Sequence, residues 1–374
     1  MDERLKTGII GCGKVAGIHA AAFTAIQRSA FTAVCDNDEK RAQELATKYG
    51  VRAYTDVTEM VSKEKLDFVT VCTPHPVHKA PAVDALKAGA NVLIEKPLAS
   101  SLEDCDVMLS AAREAKKQIA VISQRRFYAP CRRLKEAIDS GKIGKPSLGL
   151  VFMFGWRNEA YYNSDPWRGT WKGEGGGVLV NQSPHQLDLL QWFMGSEIDE
   201  IYGIWKNLNH PYIEVEDTAL AILKFKNGGI GNIIVSNSQK PGIYGKVHIH
   251  GDNGSSVGVQ TDGGAMFIAG MTSILEPPVN DLWTIQGEED KLKIWVKEDS
   301  DLFNSVNSME YFHRLQVEDF IDAIIDGRKP MITGEEGRVT VEIFTAIYRS
   351  QRDGKTIKFP LMPEYGRTDF DGRL

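Results

Sequence analysis

Along the first third of the chain, short apolar runs alternate with stretches whose apolar residues recur at helical spacing. Leu5–Ile10 reads as a strand, followed by a glycine-rich turn and a helical pattern from Lys14 to Ile26. Phe31–Cys35 reads as a second strand, and Asp38–Tyr49 as a helix closed by Gly50, a position that tolerates positive φ. Phe68–Cys72 is nearly all apolar, as expected of a strand covered by helices on both faces. Val77–Ala88 is helical up to Gly89, and Asn91–Ile94 is a further strand. Ser100 with Glu103 forms a capping box ahead of a helix over Leu102–Lys117, and Ile119–Ser123 closes the series as a strand. Strand and helix alternating on this scale predict a parallel, doubly wound sheet.

From Ser147 the pattern changes. The runs LGLVFMFGW and DTALAILKFKNGGIGNIIVSN are longer and alternate in and out. Asn227-Gly228 is a hairpin turn between two of them, and Asp252-Asn253-Gly254 marks another turn. A mostly antiparallel sheet is expected, with Gln182–Met194 as a helix covering one face. Tyr311–Ile325 and Glu335–Ser350 are helical by spacing, and the charged run Glu288–Lys293 reads as a solvated loop. The fold class is therefore α/β: a Rossmann dinucleotide-binding domain over residues 1–126, then an α/β domain over 127–374 with a large open sheet, whose C-terminal helix can return to the first domain.

Length and charge narrow the function. At 374 residues the chain suits two domains, and a net charge of −6 offers no basic field for nucleic acid or anionic membrane. No apolar run is long enough to span a bilayer, and MDERLKTGII lacks a signal-peptide core. The five scattered cysteines form no C-x-x-C pair, which favours reduced thiols, a cytoplasmic location and no metal site.

Three motifs carry chemistry. Gly11-Cys12-Gly13-Lys14-Val15-Ala16 lies between a strand and a helix. Gly11 permits the tight turn, Gly13 lets the backbone approach a pyrophosphate, and the helix start offers unpaired N–H groups to phosphates. Asp36 at the end of the second strand is placed to accept from ribose hydroxyls and to repel a 2′-phosphate, so NAD is expected over NADP. Glu95-Lys96-Pro97 sits at a carboxyl strand end, where a lysine can donate to a substrate oxygen; in isolation the tripeptide also reads as a surface lysine. In the segment Gly175–Asp188, Asn181 and His185 lie four apart, as on one helical face, and Asp188 could orient the imidazole of an acid/base histidine. His19 reads as a packing or backbone-bonded residue, and His248 and His250 as neighbours on one strand face.

Taken in this order and at these distances, the three motifs resemble the glucose–fructose oxidoreductase/inositol dehydrogenase/rhizopine-catabolism family (Gfo/Idh/MocA) over nearly the whole chain. Thr73-Pro74 with His78 resembles the family's T-P-N-x-x-H loop, with His75 where asparagine is usual. Arg126-Phe127 resembles the stretch leaving the dinucleotide domain, and the tail through Phe359-Pro360-Leu361 its closing helix and strand. The resemblance implies that Lys14, Val15, Thr73, Pro74, His78, Glu95 and Lys96 join Gly11, Gly13 and Asp36 around the cofactor. It implies a site between the domains, an open sheet used for self-association as a dimer or tetramer, Lys96 as the group polarising the reacting oxygen, and His185 as acid/base. An aspartate commonly lies four residues before that histidine; here Asn181 does, which shifts a larger share of the proton handling to Lys96.

Tyr161, Trp167, Arg168 and Trp171 combine aromatic faces with hydrogen-bonding groups beside the glycine triplet, which suits a sugar ring; Trp167 and Trp171 read equally as core or subunit-contact residues. With Arg126, Asn181 and His185 they make the expected substrate set. The expected activity is an NAD-dependent dehydrogenase moving hydride between the nicotinamide and a ring hydroxyl carbon of a neutral sugar, glycoside or cyclic polyol. The alternative is an oxidoreductase whose tightly bound NAD is recycled in place, through a 3-keto sugar or redox-assisted glycosidic cleavage. A third reading is a non-enzymatic dinucleotide sensor.

Overall fold

The computed structural model describes residues 4–261 and 276–364. The chain divides into two compact units. One comprises the chain up to Gln124 with Ser308–Val339, the other Arg125–Asn307 with the chain from Thr340. The first break falls close to residue 126, whereas Ser308–Val339, expected in the second domain, belongs to the first unit.

The first unit is built on six parallel strands: β1 (Leu5–Ile10), β2 (Ser29–Cys35), β3 (Arg52–Tyr54), β4 (Phe68–Val71), β5 (Asn91–Ile94) and β6 (Ile119–Val121). Their order is β3-β2-β1-β4-β5-β6. Strand order reverses between β1 and β4, and a doubly wound sheet binds its ligand beyond the carboxyl ends at that point. The helices are α1 (Ala16–Ala25), α2 (Glu39–Tyr49), α3 (Val57–Glu64), α4 (Lys79–Lys87) and α5 (Leu102–Ala115). The short strand β3 and the helix α3 escape the hydrophobic pattern. Three residues are too few to show a period, and α3 buries only Met60, Val61 and Glu64, yet Asp56 caps it by accepting from Glu59 N. The cap of α5 lies one residue later than expected. Ser101, not Ser100, accepts from Asp104 N, because the helix begins at Leu102; such a cap contributes about 1 kcal/mol.

The core of this unit gathers Ile9, Phe23, Val34, Phe68, Leu93 and Ile122, together with Val317, Phe320 and Ile321 of the returning segment. Phe68 and Phe320 meet edge-on at 4.9 Å between ring centroids. This apolar face of Ser308–Asp326 explains why the segment belongs here.

The second unit opens with α6 (Ala129–Asp139) and has eight described strands: β7 (Pro146–Trp156), β8 (Ile198–Lys206), β9 (Thr218–Phe225), β10 (Ile230–Ser236), β11 (Ser238–Gly251), β12 (Ser256–Thr261), β13 (Val279–Trp283) and β14 (Ile357–Lys358). They run in the order β13-β12-β11-β7-β10-β9-β8-β14, antiparallel except for β7 beside β10. Four short helical pieces follow β7: α7 (Glu159–Tyr162), α8 (Trp171–Glu174), α9 (Val178–Asn181) and α10 (Pro184–Met194). The helix expected over Gln182–Met194 starts at Pro184, which has no N–H to continue α9. The run Glu288–Lys293 is not a plain loop. The helix α11 (Lys291–Ser305) starts within it, and Glu288 accepts from Lys142 and Lys291 and from the Trp283 indole. Two further helices are α12 (Ser308–Asp326), which belongs to the first unit, and α13 (Gly334–Asp353), inside which the third and last division of the chain falls.

Strand β9 alternates strictly between buried and exposed positions. One face of the sheet is core. On the other, Tyr202, Ile222, Asn232 and Leu150 stand in one cross-strand row, and Ile204, Leu220, Ile234 and Phe152 in the next.

Candidate active site

In the first unit, the chain leaving β1 turns at Gly11 with φ +90°, and a Cβ there would lie 2.8 Å from Thr73 N. Only glycine fits so close to the loop after β4. A Cβ at Gly13 would meet nothing within 4 Å, so this turn presents open backbone ahead of α1. Cys12 N donates to Asp36 Oδ2 at 2.8 Å, and Asp38 N to Asp36 Oδ1 at 2.9 Å. The carboxylate is thereby held at the carboxyl end of β2 with lone pairs left for ribose hydroxyls. A turn with room for a pyrophosphate, a helix start behind it and an oriented carboxylate fit an adenine dinucleotide.

Beyond β5, Glu95 accepts from His19 Nε2 at 2.7 Å and lies 4.0 Å from His313 Nε2. His19 is fully buried, and its bond to a carboxylate corrects the expectation of a backbone-bonded residue. Burial alone pulls the imidazole down, but the Cys72 sulfur and Glu95 outweigh it and raise its pKa to about 10. Burial pushes Glu95 up, but the bond and charge of His19, with His313 and Lys96, outweigh it and hold Glu95 at about 2. Lys96 N donates to Glu95 Oε2 at 3.2 Å, so the backbone carrying the lysine is tied to this pair. His78 is completely buried, with Nε2 2.8 Å from Thr73 O and Nδ1 3.2 Å from Leu98 O. It braces the Thr73-Pro74 loop against the chain after Lys96. Lys14 and Val15 lie at the start of α1, Lys14 exposed and Val15 half-buried.

In the second unit, Asn181 and His185 are each 7% exposed, on two helices rather than one. Gly177, at the start of α9, has room for no side chain, since a Cβ would lie 1.7 Å from Glu216 O. Glu216 then takes Gly177 N and Leu179 N, both at 2.9 Å, and so fixes the first turn of α9. Burial raises the Glu216 pKa to about 7 against the pull of these two bonds. Asn181 Nδ2 donates to Glu174 and, at 3.3 Å, to the Tyr161 hydroxyl oxygen. The same oxygen accepts from Gln182 Nε2 at 2.9 Å and Arg168 Nη1 at 2.6 Å. The Arg168 guanidinium lies 4.4 Å from the ring centroids of both Tyr161 and Trp167. Tyr161, Trp167, Arg168 and Asn181 thus form one group.

Two residues of the expected substrate set serve packing instead. Trp171 is 2% exposed, edge-on to Trp205 and Tyr348. Arg126 is 1% exposed and gripped by both oxygens of Asp188 at 2.7 and 2.8 Å. Breaking such a buried pair typically costs about 3–5 kcal/mol. Asp188 therefore anchors Arg126. Glu174, Gln182, Glu216 and Asn237 were not singled out in the sequence. The acids beside the glycine triplet and ahead of β9 were the available signal.

Residues 5–123 match the description "Oxidoreductase family, NAD-binding Rossmann fold", and residues 131–257 match "GFO/IDH/MocA C-terminal domain". The chain belongs to the Gfo/Idh/MocA family. It is an NAD-dependent oxidoreductase. Among its relatives, the myo-inositol 2-dehydrogenase of Thermotoga maritima is 27% identical over 361 residues, covering 95% of this chain and 98% of the relative. The scyllo-inositol 2-dehydrogenase (NAD(+)) of Bacillus subtilis is 24% identical over 98% of this chain and 99% of its own. Among solved structures, the WlbA dehydrogenase of Bordetella pertussis, in complex with NADH and UDP-GlcNAcA, superposes with a TM-score of 0.84. It is 28% identical, over 97% of this chain and 99% of that one.

Two outcomes follow for this member of the family. Asp36→Ser removes the charge facing a 2′-phosphate, and the ratio of NAD to NADP affinity, measured by fluorescence titration, falls by at least about tenfold. His19 adds stability that is complete below pH 6.5 and is lost as pH rises through about 10; the Glu95 contribution is complete above pH 4.5 and is lost as pH falls through about 2. The melting temperature therefore declines on the alkaline side of neutrality, and His19→Gln flattens that limb.

Proposed function

We propose that the enzyme moves hydride between NAD and a ring carbon that carries a hydroxyl in a sugar, a glycoside or an inositol. The observation behind this is the group around Tyr161: an aromatic and guanidinium stack next to the amides of Asn181 and Gln182. Tyr161 is 1% exposed, so the flat face left to meet a ring is that of the half-buried Trp167; such a face beside neutral amides suits a ring with apolar faces and equatorial hydroxyls. The inositol dehydrogenases among the relatives support the same class. NAD, when bound, supplies the hydride acceptor or donor. In the oxidative direction the hydroxyl loses its proton as the carbon loses hydride. Lys96 donates to the reacting oxygen, His185 takes the proton, and Asn181 orients the hydroxyl.

A second reading is an acidic sugar. The Arg157 and Arg168 guanidiniums lie 5.5 and 4.4 Å from the Tyr161 ring centroid, and Lys240 lies 4.4 Å from that of Trp156. Burial lowers the pKa of Arg157, so an anion beside it would be favourable. WlbA, with its UDP-GlcNAcA, supports this reading. Five cysteines with no disulfide among the described residues suit a reducing, cytoplasmic setting.

We also infer that the apolar face of the second unit's sheet pairs with a second copy, as a dimer or tetramer. Ile222 is 65% exposed, with Tyr202, Ile204 and Leu220 beside it, and contiguous apolar patches of this kind mark interfaces.

NADH absorbance after mixing enzyme and free NAD with inositols, hexoses, glycosides or UDP-GlcNAcA tests the activity. One class turns over, and Lys96→Met or His185→Ala lowers kcat by about 10²- to 10⁴-fold. Absence of NADH with every compound, from a protein that retains NAD through purification, favours internal recycling instead. In sedimentation velocity the protein runs as a dimer or larger, and Ile222→Asp shifts it toward monomer; a wild-type monomer throughout the micromolar range removes the interface.

A further inference from the structure

We propose that His19 is a positioning residue for Lys96, acting through the side chain of Glu95. This rests on the reading of Lys96 as the group that meets the reacting oxygen. Glu95 N donates to Val71 O at 2.9 Å and so continues the ladder between β4 and β5. Lys96 lies one residue beyond, and Pro97 after it has no N–H with which to hold the chain. The Lys96 N–H is taken by Glu95 Oε2 at 3.2 Å, while Oε1 takes His19 Nε2 at 2.7 Å.

Burial pushes Glu95 up, yet the bond and charge of His19 do most to hold it at about 2. It is therefore a carboxylate over the working range and can only accept. Both nitrogens facing it are donors, whatever the charge on the imidazole. The carboxylate thus has one arm on α1 and the other on the backbone of residue 96. His19 is the fourth residue of α1, the helix that starts behind the turn with room for a pyrophosphate, and it is fully buried. The ring that steadies the lysine backbone is thereby built into the element nearest the cofactor phosphates.

The same bond distributes charge. The titratable groups around the pair are Cys72 just past β4, His78, Lys96 and, on α12, His313. Among the cations that hold Glu95 down, His19 comes first, then His313, then Lys96. With His19 in place the carboxylate is met mainly from α1, which weakens its pull on the neighbouring ammonium. Without that partner, Glu95 draws the amine toward itself and tightens its hold on the proton.

His19→Leu keeps an apolar side chain but removes the donor, whereas His19→Gln sets an amide N–H where Nε2 stood. Kinetics use myo-inositol, scyllo-inositol and UDP-GlcNAcA as probes with free NAD. In H19L, kcat falls about 10- to 100-fold with KM nearly unchanged, while H19Q stays within about threefold of wild type. Glu95→Gln is slow too, because its NH₂ meets one of the two donors. In that background H19L costs at most about twofold more, since His19 reaches Lys96 only through residue 95. A second readout needs no turnover. Trace acetic anhydride at about pH 8, followed by peptide mass spectrometry, gives the reactivity of Lys96 relative to the exposed Lys40. This ratio falls severalfold in H19L and rises in E95Q. The proposal is overturned if H19L or E95Q is as fast as wild type, if H19Q is as slow as H19L, or if the losses of H19L and E95Q multiply. E95Q carries the test where H19L does not fold. Where no probe turns over, an unchanged Lys96 ratio in either variant overturns it. Lys96→Met, assayed in parallel, separates the two levels. Full activity there removes the reading of Lys96, whereas an inactive K96M beside a fast H19L removes only the role of His19.

Discussion

A carboxylate taken out of water is expensive unless its lone pairs are filled, and the chemistry-bearing loops of this protein are shaped by that constraint. Asp36 is filled by the N–H groups of Cys12 and Asp38, Glu95 by His19, Glu174 by Gly169 N and Asn181, and Glu216 by Gly177 N and Leu179 N. For Asp36 and Glu216 both donors are backbone groups that no strand or helix satisfies, and for Glu174 one of the two is. The acid fixes the loop and the loop accommodates the acid. The glycines follow from the same demand: Gly11 and Gly177 run so close to Thr73 N and Glu216 O that a side chain would break the arrangement.

The first unit was largely legible in the sequence because its signals are local. An apolar strand, a glycine turn and an acid at the next strand end specify the dinucleotide site within about thirty residues, and the observed strand order is the one such a pattern produces. What escaped notice there was short or distant. Strand β3 has three residues, and His313 reaches Glu95 from a segment more than two hundred residues further along. No periodicity reports a contact of that separation. The shifted cap of α5 has a different cause: two consecutive serines satisfy the same rule, and only the helix start chooses between them.

In the second unit the sequence singled out Asn181 and His185 but not the acids bonded around them. Asn181 and His185 stood out by residue type, while nothing in the local pattern marked Glu174 and Glu216 as buried. Trp171, read equally as a core residue, and Arg126 are both buried against protein partners. A tryptophan and an arginine are as useful inside a fold as in a pocket, and here the indole fills an aromatic cluster while the guanidinium neutralises Asp188. Charge at a buried position is informative only once its counter-charge is known.

The asparagine at position 181 makes sense beside Glu174. An aspartate there would place two buried carboxylates in hydrogen-bond contact. Like charges so close cannot both ionise, so one would hold a proton at neutral pH and the pair would titrate as a unit. With an amide, the site keeps one acid, and no second acid stands against it. In the proposed reaction, proton transfer then falls to groups that can carry it out, Lys96 and His185, and the polar cluster around Tyr161 is proposed to orient the ring. The acid that Asn181 Nδ2 bonds is supplied from seven residues earlier in the chain, so an amide at position 181 avoids setting a second acid beside it.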